Sequence, residues 1–379
     1  MRIDVQDVMS PAAAPAIPLT AAHATSSTTR VDTSALARER KCAGKLSRAL
    51  SAAWGWANRE SANFWLNFLF WHARRQPWFC RGTRPFWLWG AWNFSDHLHG
   101  GTMANARRIL GEQATTAQCE DLARRTIGNF YDFVCDVGLC LGQSRRQMLE
   151  RIASVEGAER YLAARTSGQT AGKGAIIVTA HMGSFEIGTA ALLEHESNRV
   201  HVLFHRDALG LFEQIRSTLR RRLGVVEVPV DKGWTVWMRL RDALKDDGVV
   251  LIQGDRVMPG QKGRAMPFFG GHVLLPSGPV KLALASGAPM VPVFSVRTPA
   301  GKVRLFIEEP ITVGDADGAL PPEAAMAKLA AVLEKYVRRF PDQWLENRPA
   351  WVEDAGVPTQ RPPGKRKIEH LKAKLLRRR

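Results

Sequence analysis

A histidine and a carboxylate follow a short apolar run near the middle of the chain. The run, Ala175–Thr179, is rich in β-branched residues and preceded by glycine, which predicts a buried strand. His181 comes just after this strand, and Ser184 is a suitable N-cap for a helix whose first turn would contain Glu186. An imidazole paired with a carboxylate can remove a proton from a hydroxyl, because the carboxylate holds the imidazole tautomer and stabilises the imidazolium. His181 and Glu186 are therefore the candidate catalytic base and its orienting carboxylate.

Other kinds of site fit this stretch less well. The H-x4-E spacing differs from the H-E-x-x-H of zinc proteases, so a metal is not expected, and a structural histidine is the remaining alternative. Ser184 does not lie in a G-x-S-x-G elbow, and the glycine-rich residues 168–174 lack the order of a phosphate-binding loop. Without a covalent nucleophile, the pattern favours direct attack of an acceptor on a bound acyl donor, with no cofactor.

Further polar residues follow the other predicted strands. Asp255 comes after one apolar run, Arg206 follows another, and an arginine run surrounds Arg221. Because the carboxyl ends of parallel strands meet at one edge of a sheet, we expect Asp255 near His181. Arginines close to that edge could clamp anionic groups, although any one of them could instead lie on a solvated helix face.

Strands and helices alternate through the second half of the chain. This order predicts an α/β fold with a mixed, mostly parallel sheet covered by helices on both faces. The predicted strands are Ala175–Thr179, Val200–Phe204, Val225–Val228, Val249–Ile252, Met290–Phe294 and Val303–Ile307. The predicted helices are Phe185–Glu194, Leu209–Leu223, Thr235–Lys245, Gly278–Ala285 and Pro322–Phe340.

The N-terminal part differs in composition. Eight of the 12 tryptophans lie between Trp54 and Trp92, interleaved with arginines, which favours a helical segment in a membrane interface. Its most apolar piece, Phe64–Trp71, is shorter than the roughly 20 residues that span a bilayer. A buried helix pair is the alternative. The predicted regions are 1–40, disordered; 41–110, helical and membrane-associating; 111–355, catalytic; and 356–379, a basic tail.

The charge balance requires an anionic partner. The formal net charge is +17 and the pI is about 10.2, which fits an anionic membrane surface, phosphorylated substrates or nucleic acid. No helix-turn-helix, zinc or RNA-binding signature is present, so nucleic acid is not the expected partner. The five scattered cysteines and the lack of a secretory signal predict a cytoplasmic setting.

Taken together, the blocks resemble the lysophospholipid acyltransferase superfamily, and most of all the late acyltransferases of bacterial lipid A biosynthesis. The resemblance rests on the H-x4-E pair, on Asp255 followed by Pro267-Phe268-Phe269-Gly270, and on residues 339–344. It extends from about Asn105 to Trp351. By motif, His181 and Glu186 match the catalytic pair of the family, Asp255 matches its aspartate, and Arg221 matches its arginine to within one residue.

The resemblance implies a function. It implies O-acyl transfer from an acyl carrier protein or coenzyme A thioester to a lipid A-like acceptor, catalysed by a protein peripheral to the cytoplasmic face of the inner membrane. Arg206, Arg221 and Asp255 would hold substrate, and backbone N–H groups near Met182–Ser184, with or without an arginine, would stabilise the oxyanion. The alternatives are an aminolipid or pigment lipid acceptor, a non-catalytic lipid-binding scaffold, and a basic nucleic-acid-binding protein.

Overall fold

A computed structural model describes residues 64–166, 170–196, 199–205, 210–230, 233–258 and 261–355. The predicted disordered segment 1–40, the basic tail 356–379 and the candidate Arg206 lie outside these residues, as do residues 41–63 of the tryptophan-rich region. Everything that follows concerns the described residues.

Four helices come first. They are α1 (64–75), α2 (Pro77–Phe94), α3 (Asp96–Leu110) and α4 (Thr116–Cys140). Local residues explain where the last three of these helices begin. Helix α2 has Pro77 in its first turn, the Ser95 hydroxyl caps α3, and Thr115 and Gln118 form a capping box on α4. The tryptophan-rich region is thus helical from residue 64 onward, and no described helix has the length and apolar character needed to cross a bilayer.

The remaining elements alternate as the sequence predicts. They are α5 (Arg145–Leu149), β1 (Ile152–Glu156), α6 (Ala158–Thr166), β2 (Ala175–Thr179), α7 (Phe185–His195), β3 (Val200–Phe204), α8 (Gly210–Leu223), β4 (Val226–Pro229), α9 (Trp234–Lys245), β5 (Val249–Gln253), β6 (Gly263–Phe268), β7 (Gly271–Pro276), α10 (Gly278–Ser286), β8 (Met290–Arg297), β9 (Val303–Ile307) and α11 (Pro322–Arg339). The sequence pattern did not predict β1, β6, β7, α5 and α6. The three missed strands are partly exposed and so lack a continuous apolar run.

The main sheet of the described residues has the order β1-β9-β8-β2-β5-β3-β4. All neighbouring pairs are parallel except β8 and β9, so the prediction of a mixed, mostly parallel sheet is confirmed. The strands β6 and β7 form a separate antiparallel hairpin. The strand β2 lies in the middle of the sheet, between β5 and β8.

Helices cover both faces of this sheet. Ile176 and Val250 pack into one core cluster with residues of α9, α10 and α11. Their neighbours Ile177 and Val249 point to the other face and pack with residues of α7 and α8. Alternate residues of a strand face opposite sides, so central strands buried on both faces are apolar throughout. The predicted two-sided covering is confirmed.

The segment that follows α11 returns to the end of β2. Met182 and Trp344 form an antiparallel bridge. The Leu345 N–H donates to the His181 carbonyl at 2.8 Å, and the Gly183 N–H donates to the Gln343 carbonyl at 3.0 Å. The loop that carries His181 is therefore held by backbone hydrogen bonds to the far end of the chain.

Helix α3 holds the next part of this segment. The buried Asn105 amide donates to the carbonyls of Glu346 and Arg348, both at 2.9 Å, and its oxygen accepts from Ala350 N–H at 3.0 Å. Gly101 lies one turn earlier on the same helix. A Cβ atom there would meet the Asn347 carbonyl oxygen at 1.9 Å, so the close approach requires glycine.

We expect Gly101→Ala to lower the free energy of unfolding by about 1–3 kcal/mol, because backbone must shift to admit the methyl group. Gly90→Ala in α2 is the matched control, since nothing lies within 4 Å of its added Cβ atom. The control should be neutral or stabilising by up to about 1 kcal/mol. Urea denaturation of both variants measures this, and a Gly101→Ala protein as stable as wild type would contradict the close approach.

Candidate active site

The register of two neighbouring strands places Asp255 against His181. Thr179 of β2 pairs with Gln253 of β5, and His181 and Asp255 each lie two residues further on. The His181 Nδ1 atom is 2.8 Å from Asp255 Oδ1, and the His181 backbone N–H donates to Asp255 Oδ2 at 3.1 Å. The expected meeting of these two residues at one edge of the sheet is found.

Asp255 is buried and surrounded by donors. Its side chain is 1% exposed, and Oδ2 also accepts from the Trp344 indole N–H at 3.0 Å. Burial by itself would raise the pKa of Asp255. Three effects oppose burial: the facing His181, the Arg256 guanidinium 3.7 Å away, and the hydrogen bonds to the carboxylate. Together they outweigh burial and hold the pKa of Asp255 well below its usual range. The carboxylate is therefore ionised throughout the neutral range.

His181 is held neutral. Burial lowers the pKa of His181, and the positive charge of Arg256 lowers it further, against the opposing effect of Asp255. A neutral imidazole has one N–H donor and one acceptor nitrogen. Because Asp255 is ionised and accepts only, Nδ1 carries the hydrogen and Nε2 keeps the lone pair. His181 thus has the protonation state of a general base.

Glu186 lies in the first turn of α7, as expected, but its carboxylate does not contact the His181 ring among the described residues. It is buried and accepts from the Arg216 Nε–H at 2.8 Å. The carboxylate hydrogen-bonded to the His181 ring is that of Asp255. Strand register delivers Asp255 to the ring, whereas Glu186 lies on a helix that packs against Arg216 of α8.

The arginines of α8 lie in different environments. Arg221 is exposed, and among the described residues its side chain donates only to Thr218 of its own helix, at 3.4 Å. The neighbouring Arg220 is buried and bonds the carboxylates of Glu213 and Glu227. Successive helical residues point about 100° apart, so a run of arginines cannot share one environment. The α8 arginine that lines the candidate site is Arg216. No sequence signal pointed to it, because a single basic residue in a helical pattern is common on solvated helix faces.

The loop between His181 and α7 is anchored to α4. Ser184 is the N-cap residue of α7, yet its hydroxyl donates to the Asp136 carboxylate and accepts no capping hydrogen bond from the helix. Asp136 is buried and also bonds Arg151 and Arg297, the latter at 3.1 Å. One turn earlier, Asp132 accepts from Arg84 of α2 at 2.9 Å. A chain of ion pairs thus connects the N-terminal helices with the loop that follows His181.

Two backbone donors of this loop are already used. The Met182 N–H donates to the Ala180 carbonyl at 2.8 Å, and the Gly183 N–H donates to Gln343. Gly183 has φ of +53°, and a Cβ atom there would lie 2.5 Å from the Ser295 carbonyl oxygen. Of the expected oxyanion donors near Met182–Ser184, the N–H groups of Met182 and Gly183 are therefore engaged within the protein. Arg256 and Arg216 are close enough to lower the His181 pKa, and both line the same space.

His181 lines a large cavity of about 1380 Å³. Drug-sized ligands occupy pockets of about 300–1,000 Å³, so this space accommodates a larger or longer molecule. One part of its wall is apolar and comes from α1, α2 and α4. The apolar residues there are Trp65, Leu66, Leu69, Trp87, Leu88, Ala91, Ile127, Phe130, Phe133 and Val134.

Comparisons with known proteins agree with this arrangement. The family model of the bacterial lipid A biosynthesis acyltransferases matches residues 91–351, which is more than half of the chain. A phosphatidylinositol mannoside acyltransferase of Mycolicibacterium smegmatis is 25% identical over 186 residues, which cover 48% of this chain and 59% of that protein. The chain thus spans about three fifths of the length of that curated relative. On the family match, which contains the His181 loop, Asp255 and the segment through Trp351, the chain belongs to the bacterial lipid A biosynthesis acyltransferase family.

Proposed function

We propose that the protein is an acyltransferase that moves a fatty acyl chain from a thioester donor to a hydroxyl group of a lipid acceptor. The observation that carries the proposal is the neutral His181, backed by the buried Asp255, in the wall of a large apolar cavity. Two comparisons support the same chemistry. They are the match to the lipid A biosynthesis acyltransferase family and the similarity to a phosphatidylinositol mannoside acyltransferase.

The proposed reaction proceeds by direct attack. His181 Nε2 takes the proton of the acceptor hydroxyl as the oxygen attacks the thioester carbonyl. Asp255 stabilises the imidazolium that forms. Collapse of the tetrahedral intermediate breaks the carbon–sulfur bond, and the imidazolium returns the proton to the leaving thiolate. No covalent acyl-enzyme is formed, and the base regains its starting state.

Side chains supply the charge that the transition state requires. The guanidinium groups of Arg256 and Arg216 line the cavity and act on His181 electrostatically. We assign them to the developing oxyanion, because the Met182 and Gly183 N–H groups are engaged. Removal of one such donor costs roughly 3 kcal/mol in characterised enzymes. Glu186 then has a positioning role, since it holds Arg216 at 2.8 Å.

The apolar wall fits the acyl chain. Aromatic and aliphatic side chains of α1, α2 and α4 line this part of the cavity, and burial of each methylene group contributes about 0.8 kcal/mol. The donor is an acyl carrier protein or coenzyme A thioester. The acceptor is lipid A-like, with an aminolipid, a pigment lipid or a mannosylated phosphatidylinositol as alternatives of the same reaction type.

Helices α1 and α2 present an aromatic surface to solvent. We propose that this surface lies in the interface of the inner membrane on its cytoplasmic face, since exposed aromatic rings with arginines between them fit the headgroup region. The Arg75 guanidinium lies 5.2 Å from the Trp71 ring. The exposed residues are Phe64, Trp65, Trp71, Trp78, Phe86, Trp89 and Phe94.

His181→Ala should reduce acyl transfer by at least about 10²–10⁴-fold, because the general base is lost. The assay follows transfer of a radiolabelled acyl chain from acyl carrier protein or coenzyme A to extracted bacterial lipid. His272→Ala is the matched control, since that histidine is exposed and bonds only Glu353 among the described residues. Full activity of His181→Ala would refute the mechanism, as would equal losses in both variants.

Asp255→Asn tests which carboxylate orients the base. The amide can donate to Nδ1 and stabilise the wrong tautomer, so we expect kcat to fall by about 10²–10⁴-fold. Glu186→Gln is the matched change at the other candidate, and its effect on kcat should be smaller because it acts through Arg216. A larger loss of kcat in Glu186→Gln than in Asp255→Asn would restore the pairing predicted from sequence.

The pH profile of kcat/KM tests the state of His181. The neutral imidazole is the active form and its pKa is lowered, so the acidic limb of the profile should have its midpoint below pH 6.5, the ordinary value of an imidazole. Arg256→Met removes a positive charge that lowers this pKa, and the acidic limb should therefore move to higher pH. Arg348→Met, another cavity cation, should leave the limb in place. An acidic limb at the same pH in Arg256→Met and wild type would contradict the effect of Arg256 on the His181 pKa.

Replacement of Trp78, Phe86 and Trp89 by alanine should weaken binding to vesicles of phosphatidylethanolamine and phosphatidylglycerol by more than about tenfold, because large apolar areas no longer leave water. Vesicle sedimentation measures the binding. The control replaces Leu162, Leu284 and Val352, which are exposed outside α1 and α2. Equal binding of the aromatic variant and wild type would contradict the proposed surface.

A further inference from the structure

The charged residues that line the cavity all have the same sign. No aspartate or glutamate occurs among its described lining residues. A cavity lined in this way attracts anions, and the low-dielectric walls of a cleft strengthen the attraction. The six basic residues are Arg216, Arg241, Arg256, Lys262, Lys281 and Arg348.

Four of these cations have an acidic partner. Arg216 is paired with Glu186, as described above. Arg256 and Arg348 both lie within 4 Å of the buried Glu346 carboxylate, at 3.1 Å and 3.4 Å. Arg241 bonds its neighbour Asp242 at 2.7 Å.

The two lysines differ from the four arginines. Neither Lys262 nor Lys281 has a carboxylate within 4.0 Å among the described residues. Both are exposed at the cavity. The excess positive charge of the cavity is therefore concentrated on these lysines.

The fold brings the two lysines to one place. In the β6–β7 hairpin Gly263 pairs with Pro276, so Lys262 lies beside the start of α10. Lys281 follows on the first turn of α10. Strand register and helix position thus bring both lysines to the part of the cavity wall at the start of α10.

Helix α9 completes this part of the cavity. It packs against the same helix end, where a Cβ atom on Gly278 would lie 2.5 Å from the Trp237 ring. Arg241 lies one turn after Trp237, and Trp234 lies one turn before it with 74% of its surface exposed. We call Trp234, Arg241, Lys262 and Lys281 the cationic rim.

We propose that the cationic rim binds a phosphate group of a substrate while the reacting carbon lies at His181. This inference rests on the proposed function and adds a subsite to it. Lysine ammonium groups bind phosphate as point charges, and the flat Trp234 ring offers an apolar surface to the adjoining organic part of the ligand. The phosphate belongs either to the phosphopantetheine arm of the thioester donor or to the headgroup of the lipid acceptor.

The test uses Lys262→Met/Lys281→Met, which removes two charges and keeps the side-chain length. Lys302→Met/Lys328→Met is the matched control, because both lysines are exposed, change the net charge equally and do not line the cavity. Binding is measured by isothermal titration calorimetry, without acyl transfer. The probes are 4′-phosphopantetheine against pantetheine, and dihexanoyl phosphatidic acid against dihexanoylglycerol.

Wild type should bind the phosphorylated member of one pair at least about tenfold more tightly, and the rim variant should lose this preference while the control keeps it. A preference within the pantetheine pair assigns the phosphate to the donor, and one within the glycerolipid pair assigns it to the acceptor. The inference is overturned if wild type shows no preference in either pair, or if the rim variant keeps it. Because no transfer is measured, an inactive wild type would refute the proposed function without affecting this result.

Discussion

The buried Asp255 carboxylate is the constraint around which the site is built. An ionised group with 1% side-chain exposure is costly unless several donors surround it. The His181 ring, the His181 backbone N–H and the Trp344 indole supply these donors. Each donor requires a separate feature of the fold: the first two need the β2–β5 register, and the third needs the chain to return to this edge after α11.

That return explains contacts far from the cavity. Trp344 reaches Asp255 only if the segment around it is fixed, and its backbone pairs with the His181 loop on one side. On the other side the Asn105 amide and the close approach at Gly101 hold the segment against α3. Asp255 is thereby connected to a helix of the N-terminal half through a short stretch near residue 346.

A second connection runs through ion pairs. Arg84 of α2 bonds Asp132, Arg297 bridges Asp132 and Asp136, and Asp136 accepts from Ser184 in the His181 loop. Helices α1 and α2 also line the cavity and carry the exposed aromatic surface. In the proposed function, the same two helices would contact both an acyl chain in the cavity and the membrane interface.

The sequence by itself determined most strands and helices of the main sheet, and the edge of the sheet at which chemistry is expected. β-Branched runs specified β2 and β3, amphipathic periodicity specified α8 and α11, and parallel strand order placed His181 and Asp255 at one edge. These features are local or follow from topology alone. The family resemblance was equally visible in the linear motifs, and the match over residues 91–351 confirms it.

Only the tertiary structure decided which side chains meet. The carboxylate that contacts the imidazole lies 74 residues away, just after a neighbouring strand. The H-x4-E spacing therefore could not show that Asp255, and not Glu186, contacts the ring. Arg216 and not Arg221 lines the cavity because helix rotation, set by packing against the sheet, decides which residue points inward. Pairing with Gln343 likewise removed the Gly183 N–H from the available donors. Strand register and helix rotation are fixed by burial of whole faces, and no short stretch of sequence contains that information.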